Sequence, residues 1–444
     1  DPPPNDGKTF WIPPGDRRTY TLLYRLPAGV NQPRLFYGGT LEHQPYALNE
    51  LLRLEGVEPV PDTAARPEND PTLALDGVKV YHPQRDPMGI AGVGLTPEQV
   101  NTAIDNGRDF LWQHLQDNSS ERRPVGTRDE DLPAMLALVH CDAHKRYPEF
   151  DRAVRAYIHR AEPKQHSSYQ NGLLAMLIEG YGDAAFVPKL EQAARWLVEA
   201  QGEDGTWSYR APVPSRFFPD PEPMPEPEED AVVQVVGGQP IERPEVPDTP
   251  LLRTQSWALG KDGDNSTSQF AMLGLWSAAR TGFVVDDDVW RRAIRAITDR
   301  QQTGPKAGPF GGWAYTRPGT VYGSMTCAGV CTAALALNQL DPDRTARHDL
   351  RIRNGVSWLA RHFAVAENPG TDKWQYYYIY SLERVGQILG TEFIGEHEWY
   401  PLGAKSLVTR QNPDGSWGGI HHEKDPRIAT AFALLFLTRA TPTL

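Results

Sequence analysis

The chain has 444 residues with 45 Lys and Arg against 57 Asp and Glu, and so a formal net charge of −12 at pH 7. This length allows a large hydrophobic core. The acidic balance, without a cluster of Lys and Arg, argues against nucleic acid as a partner, because phosphate contacts need concentrated positive charge. No apolar run is long enough to predict a transmembrane segment.

The chain termini and the cysteines give little information on the compartment. Three cysteines cannot form a complete disulfide framework. The sequence begins Asp1-Pro2-Pro3-Pro4 without a Met, which favours an exported protein, periplasmic or extracellular. Proline occupies 40 positions, which is roughly twice its usual share.

Composition divides the chain into an N-terminal extension, residues 1–90, and a helical domain, residues 91–444. The extension is rich in Pro and turn residues, and alternation over residues 20–26 predicts a short strand. Residues 211–252 form an acidic, Pro-rich insertion in the helical domain. Self-assembly through residues 1–40 or through this insertion is one expectation for such polar appendages.

From residue 96 onward, the apolar residues recur with the period of a helix, and the predicted helices alternate in character. One set is amphipathic and charged, at 96–116, 149–161, 186–201, 287–302, 345–363 and 398–411. The other set is apolar on nearly every side, at 129–147, 167–181, 265–281, 324–340, 374–389 and 428–439. A striped helix can face water, whereas a helix that is apolar all round must be buried. The pattern therefore predicts six outer helices around six inner ones.

A short repeat follows the outer helices. Residues 201–207, Gln-Gly-Glu-Asp-Gly-Thr-Trp, recur at 411–417 as Gln-Asn-Pro-Asp-Gly-Ser-Trp, and Gln301 with Trp313 marks a degenerate third copy. These residues resemble the QW repeat of the squalene-hopene cyclase and protein prenyltransferase superfamily, over about residues 96–440. The resemblance implies an all-α fold, an α/α toroid of helical hairpins around a central cavity, and the count of six pairs agrees with one (α/α)6 ring.

In such a ring, the inner helices run in one direction and their N-termini meet at one mouth of the cavity. The segment Asp262-Gly263-Asp264-Asn265 begins an inner helix and resembles the Asp-x-Asp-Asp-Thr motif of class II terpene cyclases. The resemblance implies that Asp264 protonates an alkene or epoxide, assisted by Asp262 and oriented by Asn265, which replaces the last Asp. The alternative is that Asp264 or Asn265 only caps the helix.

Aromatic side chains are the second feature, since π faces stabilise cations. Trp374, Tyr377 and Tyr378 share one helix face, and a packed core is the alternative interpretation. Glu383-Arg384 in the same helix predicts an internal ion pair, although charged residues near a cavity can also serve a substrate. The residues expected to line the cavity are His166, Tyr169, Gln269, Thr326, Trp374, Tyr377, Tyr378 and His421.

The leading hypothesis is a terpenoid-cyclase-like or prenyltransferase-like protein that binds a hydrophobic small molecule, with a non-standard acid. We expect no metal and no cofactor, because the segment 324–327, Ser-Met-Thr-Cys, lacks the Asp of the prenyltransferase zinc site. One alternative is an exported, non-catalytic assembly or cell-surface structural protein that retains the toroid. A second alternative is a secreted polysaccharide lyase with a Tyr or His base.

Overall fold

The computed structural model describes residues 86–117, 129–163, 167–211, 251–252, 263–304, 308–341, 346, 349–418 and 423–443. All of them belong to one compact unit, Pro71–Leu444. The predicted strand at 20–26 and most of the 211–252 insertion lie outside these residues. The expected division at residue 90 and assembly through either appendage therefore stay predictions.

Twelve helices of nine or more residues, numbered α1 to α12 along the chain, make up most of the described part. The outer helices are Pro97–Asp117 (α1), Pro148–Arg160 (α3), Val187–Ala200 (α5), Asp287–Arg300 (α7), Leu350–Arg361 (α9) and Trp399–Arg410 (α11). The inner helices are Leu132–His140 (α2), Ser168–Tyr181 (α4), Asn265–Arg280 (α6), Gly323–Leu340 (α8), Gln375–Ile388 (α10) and Pro426–Leu437 (α12). Shorter helical segments are Gly89–Gly92, Asp129–Asp131, Ala143–Arg146 and Ala184–Phe186.

Burial separates the two sets of helices. Inner helix α8 is buried at every position from Gly323 to Leu337. Outer helix α7 buries one face only, with Val289, Trp290, Ala293, Ala296 and Ile297. This spacing is the three-and-four periodicity of a helix with one side in water.

The inner helices form a closed ring. Helix α2 contacts α4, and the contacts continue through α6, α8, α10 and α12 back to α2. Where α4 crosses α6, two glycines let the backbones approach closely, since a Cβ built on Gly274 would lie 2.7 Å from Gly172 Cα. The outer helices pack around this ring. The predicted all-α fold, an (α/α)6 toroid of helical hairpins, is confirmed.

Among the residues that the structure describes, three short strand pairs lie in the connections. Leu251–Leu252 (β1) pairs in parallel with Val284–Val285 (β2). Gln302–Gly304 (β3) and Gly308–Gly312 (β4) form an antiparallel hairpin inside the third copy of the repeat. Phe393–Ile394 (β5) pairs antiparallel with His397–Glu398 (β6).

Each glutamine of the repeat joins its hairpin to the next outer helix through a hydrogen bond from its side-chain amide. The bonds run from Gln201 Nε2 to the Val289 carbonyl (3.0 Å), from Gln301 Nε2 to the Arg351 carbonyl (2.9 Å) and from Gln411 Nε2 to the Ala103 carbonyl (2.8 Å). Because Ala103 lies in α1, the last of these bonds connects the final hairpin to the first and closes the outer layer.

The tryptophan of each copy packs beneath the hairpin and donates its indole N–H to the preceding outer helix. The acceptors are the carbonyls of Leu197 for Trp207 (2.7 Å), of Ile297 for Trp313 (2.7 Å) and of Leu407 for Trp417 (2.9 Å). The turn before the tryptophan needs a glycine, since Gly205 and Gly415 have φ of +81° and +86°. The hydrogen bonds of the repeat glutamines and tryptophans therefore hold neighbouring hairpins together, and we call this set of bonds the clamp.

We expect Gln201→Leu to lower the free energy of unfolding by about 1–3 kcal/mol, because it removes a buried donor and leaves carbonyl acceptors unpaired. Gln201 is fully buried and also donates to the Gly205 carbonyl at 3.2 Å. Gln411→Leu is the matched control: Gln411 is half-buried, so water can replace its bonds and the loss should be smaller. Urea unfolding followed by circular dichroism measures both. Equal losses would show that burial does not set the strength of the clamp.

Candidate functional site

The first turns of five inner helices open onto one cavity of about 430 Å³. Its wall residues from the helices and their N-caps are Tyr169, Ser266, Tyr322, Ser324, Met325, Trp374, Tyr377, Asp425, Ile428 and Phe432. Connecting segments add Tyr209, Tyr315 and Glu423. The inner helices therefore present their N-terminal ends to the same mouth.

The repeat supplies two of the tyrosines that line the cavity. Tyr209 and Tyr315 each follow the tryptophan of a repeat copy by two positions, so the buried indoles fix where their side chains emerge. The Tyr209 ring stacks on the Tyr169 ring with 6.1 Å between centroids. Behind this wall, Phe270 lies 4.1 Å from the Tyr169 ring and 6.2 Å from the Tyr377 ring. The cavity wall is thus backed by a continuous aromatic layer.

Trp374 stands at the rim of the cavity in an unusual backbone conformation. Its φ is +62°, a region that bulky side chains rarely adopt, and its side chain is 46% exposed. Trp374 occupies the N-cap position of α10, but its side chain accepts no hydrogen bond from the first turn of the helix. Glu423 supplies the cap instead and accepts the backbone N–H groups of Tyr376 at 2.8 Å and Tyr377 at 2.9 Å.

Asp264 is the N-cap of α6. Its carboxylate accepts the Thr267 backbone N–H at 2.7 Å and the Thr267 hydroxyl at 2.8 Å. The Tyr315 side chain lies close enough to this carboxylate to influence its pKa. The residue is 6% exposed and lies directly behind the tyrosines of the wall. The capping role considered from the sequence is present, and a wall tyrosine, Tyr315, lies near the same carboxyl group.

The three carboxyl groups at the mouth differ in their pKa. Burial raises the pKa of Asp264, although hydrogen bonds from Thr267 and the nearby Tyr315 hydroxyl oppose this rise. Burial also raises the pKa of Glu423 against the backbone N–H groups of α10. Burial alone would raise the pKa of Asp425 too, but hydrogen bonds and charge from Arg427 outweigh burial and lower it. The mouth therefore holds two carboxyl groups that retain protons more readily than usual and one that stays ionised.

Asn265 fixes the segment that carries Tyr315. Its side-chain amide donates to the Ala314 carbonyl at 2.6 Å, and its backbone N–H donates to the Tyr315 carbonyl at 3.0 Å. The Asp264 backbone N–H binds the Trp207 carbonyl at 3.0 Å. Residues 264 and 265 thus anchor two copies of the repeat at one point.

The expected site residues fall into three groups. Tyr169, Trp374 and Tyr377 line the cavity, and Gln269 lies behind them, accepting the Tyr377 hydroxyl at 2.9 Å. Thr326 and Tyr378 are buried outside the wall. Asp262, His166 and His421 lie outside the described residues, so their roles stay predictions.

Thr326 and Tyr378 serve packing in the place where the structure puts them. The Thr326 hydroxyl accepts the Trp313 backbone N–H at 3.3 Å and donates to the Tyr322 carbonyl at 3.0 Å. Ser268 and Thr430 hold the tryptophans of the other copies in the same way, at 3.0 Å and 2.9 Å. Tyr378 is fully buried.

Sequence reasoning missed Tyr209, Tyr315, Tyr322, Glu423 and Asp425, which all line the cavity. A signal for the first two was present, because Trp-x-Tyr occurs in two copies of the repeat.

The expected ion pair between Glu383 and Arg384 does not form. Glu383 accepts the Thr441 backbone N–H at 3.0 Å and the Thr441 hydroxyl at 2.8 Å. Arg384 donates from Nη2 to the Ser381 hydroxyl at 3.2 Å, while its Nε and Nη1 have no hydrogen-bond partner in the described part of the chain.

Among the residues that the structure describes, no group of three His, Cys, Asp or Glu side chains could hold a metal ion. Within the same residues, no helix has the length and apolar character needed to cross a membrane.

No family model and no curated protein matches the chain. Among solved structures, the chain is similar to the type II terpene cyclase MstE from Scytonema. A variant of that enzyme in complex with geranylgeranyl dihydroxybenzoate gives a TM-score of 0.43 at 13% identity and covers 78% of this chain and 99% of that chain. The apo enzyme gives 0.42 at 14% identity, with 77% and 99% covered. A likeness at this level carries no argument about activity, which has to come from the cavity.

Replacing the cap residue separates its structural role from any chemistry. We expect Asp264→Ala to lower the free energy of unfolding by about 1 kcal/mol, because the Thr267 N–H loses its acceptor. Asp264→Asn should leave stability nearly unchanged, since Asn caps helices as well as Asp does. Thermal and urea unfolding measure both variants. An Asn variant as unstable as the Ala variant would show that the negative charge, and not the hydrogen bond, makes the cap.

Proposed function

We propose that the cavity binds a hydrophobic, isoprenoid-like molecule and that Asp264 supplies the proton that starts its cyclisation. One observation carries the proposal: a buried carboxyl group with a raised pKa lies beside Tyr315, a residue of the aromatic cavity wall. A carboxylic acid that keeps its proton is the group that protonation of an alkene requires.

The wall fits a hydrocarbon ligand. Its aromatic members are Tyr169, Tyr209, Tyr315, Tyr322, Trp374, Tyr377 and Phe432. Their π faces stabilise a carbocation without reacting as bases, because phenols and indoles are weak bases. Burial raises the pKa of Tyr322 to about 12, so this hydroxyl stays protonated at neutral pH. A volume of about 430 Å³ is within the range of small-molecule sites. The strained, exposed Trp374 at the rim is a further contact surface for such a ligand.

Tyr315 provides the path for the proton. Asp264 passes its proton to the Tyr315 oxygen while the Tyr315 hydroxyl proton goes to the alkene, so the tyrosine stays neutral. The proton forms a C–H bond as the π bond breaks, and the carbon left behind becomes a cation. The resulting Asp264 carboxylate is stabilised by its two hydrogen bonds from Thr267. The capping geometry thus supports the product state of the acid.

The reaction ends when the final cation loses a proton. Asp425 lines the cavity, and its lowered pKa keeps it ionised, so it is the candidate acceptor of that proton. Uptake by Asp425 and return to Asp264 through solvent complete the cycle with no net change in protons.

The two alternative functions have less support at this site. A polyuronate would meet Glu423 and Asp425 in the cavity wall, and like charges repel. A non-catalytic assembly role depends on the appendages, which lie outside the described residues.

The test is incubation of the purified protein with squalene and shorter isoprenoids, followed by product analysis. We expect cyclised products from the wild type and a loss of at least a hundredfold in rate for Asp264→Asn, which keeps the cap. Tyr315→Phe should lose activity to a similar degree while binding the same substrate. Glu149→Gln, at an exposed position on outer helix α3, is the control. Identical product traces from wild type and Asp264→Asn would exclude the acid.

The pH dependence follows from the protonated form being active. We expect kcat/KM to be constant below the pKa of Asp264 and to fall tenfold per pH unit above it. Thr267→Val removes a hydrogen bond that lowers this pKa, so the descending limb should move to higher pH. A limb that stays in place in Thr267→Val would assign the titration to another group.

A further inference from the structure

Arg384 in α10 is fully buried, yet most of its donors are unused. Nη2 donates to the Ser381 hydroxyl at 3.2 Å, whereas Nε and Nη1 have no hydrogen-bond partner in the described ranges. An unpaired buried charge is costly, so its presence in the centre of a ring that is otherwise well packed calls for a ligand.

Aromatic rings surround the guanidinium but cannot satisfy it. Its Cζ lies 4.0 Å from the Tyr380 ring centroid, 4.9 Å from that of Phe270 and 5.9 Å from that of Tyr377. Rings stack on the faces of a guanidinium, whereas its N–H groups point outward in its plane. The N–H groups at the edge of the guanidinium, on Nε and Nη1, therefore remain without acceptors among the described residues.

The side chain points toward the cavity. Tyr380 and Tyr377 precede Arg384 by four and seven residues, which is about one and two helical turns nearer the mouth. The guanidinium contacts both rings because long side chains on a helix lean toward its N-terminus. Tyr377 itself lines the cavity. Arg384 thus lies under the cavity floor, separated from the cavity by the Tyr377 ring.

A second unused donor lies at the same floor. Gln269 is fully buried, and its Nε2 has no hydrogen-bond partner among the described residues. Its Oε1 accepts the Tyr377 hydroxyl at 2.9 Å, which places the amide against the same tyrosine. Arg384 from α10 and Gln269 from α6 therefore both place unpaired donors close to the Tyr377 ring.

We propose that Arg384 and Gln269 form an anion-binding subsite at the floor of the cavity, and that the ligand is an isoprenoid chain ending in a carboxylate. A carboxylate offers two oxygens to the guanidinium fork and to the amide. Entry requires Tyr377 to turn and release its hydrogen bonds to Ser266 and Gln269. The mouth carries the ionised Asp425, so a negative head group is favoured at the floor and the far end of the chain lies at the acid.

This inference rests on the proposed function, because the chain of the ligand occupies the same cavity. Farnesoic acid and farnesol distinguish a failure of the subsite from a failure of the proposed function, since the two molecules share a chain and differ only in the head group. Titration calorimetry with the full-length protein at pH 7 gives both dissociation constants. We expect the wild type to bind the acid at least tenfold more tightly than the alcohol. In Arg384→Met, the acid and the alcohol should bind equally, with the affinity for farnesol unchanged.

Two further variants make the test specific. Gln269→Leu should reduce the preference for the acid several-fold, and it replaces Arg384→Met as the deciding variant if the latter does not fold. Arg280→Met is the matched control, because Arg280 stacks on Trp276 at the opposite end of α6 and should keep the full preference. Three results overturn the subsite but leave the cavity proposal standing: equal binding of acid and alcohol by the wild type, a preference that survives in Arg384→Met, or an undiminished preference in Gln269→Leu. If neither ligand binds, both proposals fail.

Discussion

The convergence of helix N-termini is the constraint on which the rest of this structure depends. Closing six hairpins into a ring points the inner helices the same way, so their unsatisfied N–H groups and positive dipole ends gather at one mouth. Each helix N-terminus needs a hydrogen-bond acceptor close to its unsatisfied N–H groups. Within the part of the chain that the structure describes, side chains that act as acceptors are seen for five inner helices: Ser167 for α4, Asp264 for α6, Asn368 for α8, Glu423 for α10 and Asp425 for α12. The acidic character of the mouth is thus a consequence of the ring.

The same carboxyl groups serve the fold and the site, and these two roles make opposite demands. A cap is strongest when ionised, whereas a proton donor must hold its proton. At each position, the neighbouring groups decide whether burial raises the pKa or hydrogen bonds and charges lower it. Burial prevails at Asp264 and Glu423, where only neutral donors compete, and it loses at Asp425, where Arg427 brings a full positive charge. Three similar residues at similar helix ends are therefore chemically different.

Most of the fold could be predicted from the sequence, because helix periodicity and the repeat are local signals. The site was less predictable, since it depends on contacts between distant segments. Glu423 caps a helix that begins 48 residues before it in the chain, and no local pattern marks such a bond. The ion pair expected for Glu383 and Arg384 was wrong for a simple reason. Consecutive residues on a helix point about 100° apart, so Glu383 faces Thr441 while Arg384 faces the ring centre.

In the proposed reaction, the position of Arg384 limits where the carbocation can form. A cation about 5 Å from a guanidinium is repelled by about 3 kcal/mol at an effective dielectric constant of about 20. The rings of Tyr380 and Phe270, deep in the protein, already contact the Arg384 guanidinium. Cation chemistry is therefore favoured near the mouth, beside Asp264 and the ionised Asp425. A carboxylate bound to Arg384 would neutralise the guanidinium and remove most of this repulsion. A ligand with an acidic head group would thus make the cavity more suitable for the cation formed at its other end.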